Sequence, residues 1–150
     1  MSACHKNPTV LFGKLYLCGL SGWEKLVEEG VEVLVPLDHL PGGVWELGFR
    51  GEIMYIPILD GYILPEDVLE HYVSVLIKRL EEGKRVGVFC IGGHGRTGYL
   101  AGALLYTWRD IKDPIAYLRE NYCPYAVETN VQVEALMHYT GEPGLSKYLR

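Results

Sequence analysis

One stretch brings together the residue types needed for covalent chemistry on an anion: Cys90-Ile91-Gly92-Gly93-His94-Gly95-Arg96-Thr97-Gly98. A cysteine thiolate is a strong nucleophile. A guanidinium presents a planar fork that matches two oxygens of one phosphoryl group. Gly92, Gly93 and Gly95 stand between the two and let the backbone curl tightly, turning successive N–H groups inward. An anion cradled by Ile91, Gly92, Gly93, His94, Gly95 and Arg96 would sit over Cys90, arranged for attack on phosphorus and a phosphocysteine intermediate. The Thr97 hydroxyl is placed to donate to the cysteine sulfur and ease its departure in the second step.

Such a loop needs rigid elements on both sides. Arg85-Val86-Gly87-Val88-Phe89 is short, apolar and valine-rich, and reads as a buried strand. Tyr99 to Trp108 reads as a mostly buried helix. The cysteine therefore stands at a strand end and the arginine at a helix start, where unpaired N–H donors and the macrodipole favour an anion. The same field is expected to ease deprotonation of Cys90.

Strand–loop–helix with Cys90, five residues, Arg96 and Thr97 resembles the signature of the cysteine-dependent protein tyrosine phosphatases. The Gly-Arg-Thr-Gly ending is most similar to their small dual-specificity branch. One position departs. The family usually carries histidine before the cysteine, where it helps set the thiol's pKa and the loop's shape, and this chain has Phe89.

The resemblance extends to two further places. Ile56-Pro57-Ile58, then Leu59 and Asp60, resembles the family's acid loop, which implies Asp60 as the general acid that protonates the leaving oxygen. Read without the resemblance, Asp60-Gly61 is equally a turn pair. Asp67 is a reserve candidate, though a first-turn place in a helix already accounts for it. Near the end, Pro124 to Gln132 resembles the motif whose glutamine faces the phosphate loop, implying that Gln132 orients the hydrolytic water. An amide both donates and accepts; an ordinary exposed helix glutamine is the alternative. Asp38, just after a strand, reads as a turn or cap residue, and His39 as solvated. His94 reads as a variable loop residue; a partly protonated imidazole there would favour extra negative charge on a substrate.

The rest of the chain reads as alternating α and β units. Val10–Phe12 and Lys14–Cys18 form an opening hairpin about Gly13. Ser21 is a candidate cap for a helix from Trp23 to Glu29 that ends at Gly30. Strands are expected over 31–35 and 52–58, separated by a loop over 36–51 broken by Pro41, Gly42, Gly43 and Gly48. A helix over 66–82 has its apolar residues at helical spacing and Gly83 as its stop. Asp113 caps a helix opening on Pro114, Thr129 caps a last helix running to about Tyr139, and 141–150 reads as a loose polar tail. The expectation is one α/β domain over residues 1–150, with a small mixed or parallel sheet flanked by helices.

At 150 residues, 49% hydrophobic and 22% charged, the chain is long enough for a sizeable core. A net charge of −5 offers no general attraction to nucleic acid or an anionic membrane. No apolar run is long enough to span a bilayer, and Met1–Pro8 lacks the apolar core of a secretory leader; the expected setting is cytoplasmic. Four cysteines, Cys4, Cys18, Cys90 and Cys123, are not a disulfide framework, though one of them could pair with Cys90 under oxidation. No metal or other cofactor is expected, because no cysteine pair has zinc-site spacing. The expected substrate is a phosphorylated protein, with phosphotyrosine first and phosphoserine or phosphothreonine also within range. The alternatives are a non-protein phosphoester (phosphoinositide, nucleotide or RNA 5′-phosphate), a phosphoprotein-binding module with weak turnover, and sulfur or arsenic chemistry on a similar loop.

Overall fold

The computed structural model describes residues 6–150; Met1–His5, including Cys4 and most of the leader reading, lie outside the described residues. Five strands form one sheet in the order β1-β2-β5-β3-β4. They are β1 (Thr9–Leu11), β2 (Leu15–Gly19), β3 (Val33–Pro36), β4 (Glu52–Ile53) and β5 (Val86–Cys90). The β1–β2 pair is antiparallel and the other three pairings are parallel. The hairpin turns through Phe12 and Gly13, both at positive φ (53° and 71°), which explains the glycine.

Among the described residues, the strands are connected and covered by α1 (Trp23–Glu28), α2 (Glu66–Glu81), α3 (Gly95–Arg109), α4 (Pro114–Asn121) and α5 (Asn130–Thr140). The strict alternation of a strand sorts side chains between the two faces. Along β5, Val86, Val88 and Cys90 join the large core with Leu76, Leu100 and Leu104. Phe89 points the other way, into a smaller core with Tyr16, Cys18 and Leu26. Gly87 shares that side: a Cβ there would meet Leu26 Cδ1 at 3.0 Å. The position where the family carries histidine is thus a packing position on the face opposite the Cys90 side chain.

Helix α3 is the central pillar. It is buried from Gly95 to Leu105, which accounts for its apolar sequence all round. Among the described residues no helix is long and apolar enough to cross a membrane.

Several boundaries differ from the sequence reading. Only Glu52–Ile53 ladder as β4; beyond them the chain stays extended beside β3, with Met54 N donating to Leu34 O, Ile56 N to Pro36 O and Ile58 N to Leu37 O. Pro57 has no N–H to add to this series. Ser21 lies inside a 3₁₀ turn (Leu20–Gly22), so Gly22 rather than Ser21 is the N-cap of α1. The tail is folded rather than loose: Pro143–Tyr148 is a 3₁₀ helix, Leu145 is buried in the large core, and Tyr148 Oη donates to Asp113 Oδ2 at 2.7 Å. Asp113 caps α4, accepting from Ala116 N at 2.9 Å, as expected.

Candidate active site

The loop from Cys90 to Gly95 leaves β5 at the carboxyl end of the parallel strands, where open α/β sheets bind ligands. Its carbonyls are drawn outward. Ile91 O accepts from Leu20 N (3.1 Å), Gly93 O from Tyr122 Oη (2.6 Å), and His94 O from Gly98 N (3.0 Å) and Val127 N (3.1 Å). In a trans peptide the N–H points opposite to its carbonyl. The N–H groups of Gly92, His94 and Gly95 therefore face the inside of the loop, joined by the first turn of α3. Gly93 is at φ 78°, which a side chain would strain.

Two donors point at the Cys90 sulfur. Thr97 Oγ1 lies 3.0 Å and Gly93 N 3.3 Å from Cys90 Sγ. Cys90 is a free, buried thiol. Cys18 is also free, but its side chain belongs to the opposite face of the sheet. Burial, then the neighbouring Cys90 and Glu29, pushes the Cys18 thiol up to about 12. Cys18 thus stays protonated near neutral pH. Burial, with added repulsion from Cys18 and Cys90, likewise raises Tyr122 and keeps its hydroxyl a donor to the loop.

Arg96 is almost wholly buried and its guanidinium is held from outside the loop. Nη1 donates to Asp38 Oδ1 at 2.8 Å and to Ile58 O at 2.9 Å. Nη2 lies 3.6 Å from Asp60 Oδ1. The anchoring of Nη1 leaves the Nε–Nη2 edge as the one able to grip an anion. The sequence reading treated Asp38 as a turn residue; the structure makes it the charge partner of Arg96. The bond from Arg96, then that from His39, holds its carboxyl below the ordinary carboxylate range. No local signal marks this contact, which spans 58 positions. His39, expected to be merely solvated, places Nδ1 2.6 Å from Asp38 Oδ2.

Asp60 lies in the turn that the Asp60-Gly61 pair implied, in which Tyr62 N donates to Leu59 O at 2.9 Å with Gly61 at φ 80°. Its carboxyl, 85% exposed, lies beside Arg96 and lines the same cavity as His94 of the loop. The turn is tethered to α5: Thr129 Oγ1 donates to Gly61 O at 2.9 Å, and Gln132 Nε2 to Tyr62 O at 3.4 Å. Asp67 lies in the first turn of α2.

Thr129 and Gln132 form a capping box. Gln132 Oε1 accepts from Glu128 N (3.0 Å) and Thr129 N (3.2 Å), and the whole side chain is buried against Gly95. A Cβ on Gly95 would stand 2.8 Å from Glu128 Oε1 and 3.1 Å from Gln132 Nε2. The neighbouring turn is pinned by Arg119, which donates to Ala126 O and Val127 O at 2.9 Å each. His94 turns Nδ1 toward Cys123 Sγ at 3.2 Å and meets Tyr125 edge-on. Beside the loop opens a cavity of about 610 Å³, lined by Asp60, His94, Tyr125 and Glu128 among others. Among the described residues no group of three or more His, Cys, Asp or Glu side chains is placed to hold a metal ion.

The chain's overall shape matches solved phosphatases. It superposes on Tk-PTP in its active form with a TM-score of 0.77, 25% identity, and coverage of 89% of this chain and 96% of that one. By fold and by its Cys90–Arg96 loop the chain is similar to the cysteine phosphatase superfamily. A mouse dual-specificity phosphatase complexed with zinc tungstate shares the fold at a TM-score of 0.73 and 18% identity, over 98% of this chain and 93% of that one. Human DUSP28 does so at 0.71 and 18%, over 85% and 91%. Two uncharacterized proteins of Methanocaldococcus jannaschii are each 39% identical, over 97 and 89 residues, or 63% and 57% of this chain. The chain spans 58% of the length of each. No family model matches the sequence.

Proposed function

We propose that this dual-specificity-like chain is a cysteine-dependent protein phosphatase that hydrolyses phosphotyrosine monoesters, with phosphoserine and phosphothreonine as further substrates, through a phosphocysteine at Cys90. One observation supports the reading: Gly93 N and Thr97 Oγ1 both lie against the Cys90 sulfur, in a loop whose Arg96 is also 3.6 Å from the Asp60 carboxyl.

The phosphate binds to the N–H groups of the loop and to the Nε–Nη2 edge of Arg96. The Cys90 thiolate attacks phosphorus; the S–P bond forms as the ester P–O bond breaks, and Asp60 gives its proton to the departing oxygen. Arg96 and the amides hold the charge spread over the equatorial oxygens. Water then attacks the phosphocysteine, Asp60 takes a proton back, and the sulfur leaves with help from the Thr97 hydroxyl. Gln132 orients that water through its amide Nε2, since its carbonyl is committed to the cap. Phosphorylated protein is the substrate class, the setting is cytoplasmic, and neither metal nor nucleic acid takes part.

The test is release of inorganic phosphate from a phosphotyrosyl peptide across pH, for wild type, Cys90→Ser and Asp60→Asn. The proposal expects activity that Cys90→Ser abolishes and a basic limb that Asp60→Asn removes. Activity that survives Cys90→Ser overturns it.

A further inference from the structure

Large apolar side chains left in water are ordinary when scattered and informative when gathered. Twelve are exposed among the described residues, and six of them ring the candidate site: Leu40, Tyr55, Leu59, Tyr62, Ile91 and Tyr125, between 42% and 74% exposed. Each is one or two residues, or one contact, from the machinery. Ile91 follows Cys90 in the loop. Leu59 and Tyr62 flank Asp60 and Gly61 in the acid turn. Leu40 stands two residues after Asp38, and Tyr55 Oη donates to Asp38 O at 2.7 Å. Tyr125 meets His94 edge-on.

The six come from four separate segments, and nothing in the fold requires them to be outside. Leu59 is the sharpest case. Its neighbour Ile58 is buried while Leu59 is 74% exposed beside the acid. The charged groups on this face are largely spent on one another: Asp38 on Arg96 and His39, and Asp60 on Arg96. In the side cavity Arg119 and Arg150 are balanced by Asp60 and Glu128. The rim thus offers apolar area around a phosphate site and little net charge to select acidic or basic flanks.

We infer that this rim is the docking surface for the substrate of that same site, a phosphoprotein segment whose phospho-residue is flanked by apolar side chains. The inference rests on the phosphatase reading, and the occupant follows from continuity: a segment that places a phosphate over Cys90 passes beside Ile91, which follows Cys90, and beside Leu59 and Tyr62, which flank Asp60 and Gly61. Full burial of one leucine is worth more than tenfold in affinity, and partial cover about fivefold.

The experiment measures kcat/KM on one phosphotyrosyl peptide in three forms, with leucine, aspartate or lysine on either side of the phospho-residue. A phosphoinositide in phosphatidylcholine vesicles is the fourth substrate. Wild type is compared with Leu40→Asn and Leu59→Asn, and p-nitrophenyl phosphate monitors the basal chemistry. The leucine-flanked peptide is expected to be hydrolysed about tenfold better than the charged ones. Each variant should lose about fivefold on it while staying within twofold on p-nitrophenyl phosphate. Equal rates on all three peptides, or a preference for charged flanks, overturns the docking inference and leaves the phosphatase reading standing; faster hydrolysis of the vesicle lipid overturns the docking inference and the protein-substrate part of that reading, while the cysteine chemistry stands. A wild type inactive on every substrate overturns both.

Discussion

Thr129 ties the last helix to the acid turn with a single oxygen. It accepts from Gln132 N at 3.2 Å as the cap of α5 and donates to Gly61 O at 2.9 Å, next to Asp60. Replacing it by valine keeps the shape and removes both bonds. Loss of an N-cap costs about 1 kcal/mol, and loss of the bond to Gly61 about 1 kcal/mol more. For a domain of this size the sum lowers Tm by about 4–8 °C. The two terms separate in kinetics. The bond to Gly61 holds Asp60 beside Arg96, so about 1 kcal/mol of positioning corresponds to about a fivefold fall in kcat. That fall is expected for phosphotyrosine, whose departing phenol needs a proton. It should be far smaller for p-nitrophenyl phosphate, whose phenol leaves readily without one. Thr129→Ser, which keeps the oxygen, should restore both Tm and kcat. Stopped assays on the two substrates, with thermal denaturation of each variant, decide the matter. An equal loss on both substrates, or a loss that serine does not repair, refutes the positioning argument and leaves Thr129 a helix cap only.

Other expectations follow from packing and charge. Gly98→Ala places a Cβ 2.7 Å from Val127 N, a backbone atom in a residue already at φ 64°; the cost is about 1–3 kcal/mol by urea denaturation. Three carboxyls are held below their ordinary range: Asp38 by its bond from Arg96, Glu52 by its bond from Arg79, and Asp113, against the opposing pull of burial, by Ala116 N, Tyr148 and Lys147. A depressed folded-state pKa contributes stability above the unfolded value, lost as pH falls through the folded one. Stability should therefore be level near neutral pH and decline as pH drops below about 4; urea midpoints that rise toward pH 3 contradict this.

What the sequence disclosed and what it hid follow from distance along the chain. The strand–loop–helix around Cys90 was legible because its strand, glycines, arginine and helix are contiguous. The caps at Asp113 and Thr129 were legible for the same reason. Asp38 was hidden because its partner is 58 positions away and an aspartate after a strand has a sufficient local explanation. Also hidden was that Gln132 gives its carbonyl to the cap and its amide to Tyr62 O, a pairing 70 positions apart. The tail was misread because one leucine, Leu145, docks an otherwise polar segment. The strand expected over 52–58 was overextended because alternating apolar residues report extension and burial, not a continuous ladder.

The phosphoryl group is expected to pass through the Cys90 sulfur. Rapid acid quench of wild type turning over a ³²P-labelled phosphotyrosyl peptide, followed by digestion and mapping, tests it most directly. The account predicts label on the peptide that contains Cys90, formed and consumed on the timescale of turnover and absent in Cys90→Ser. Turnover with no labelled protein at any quench time, or label carried by another residue, contradicts it.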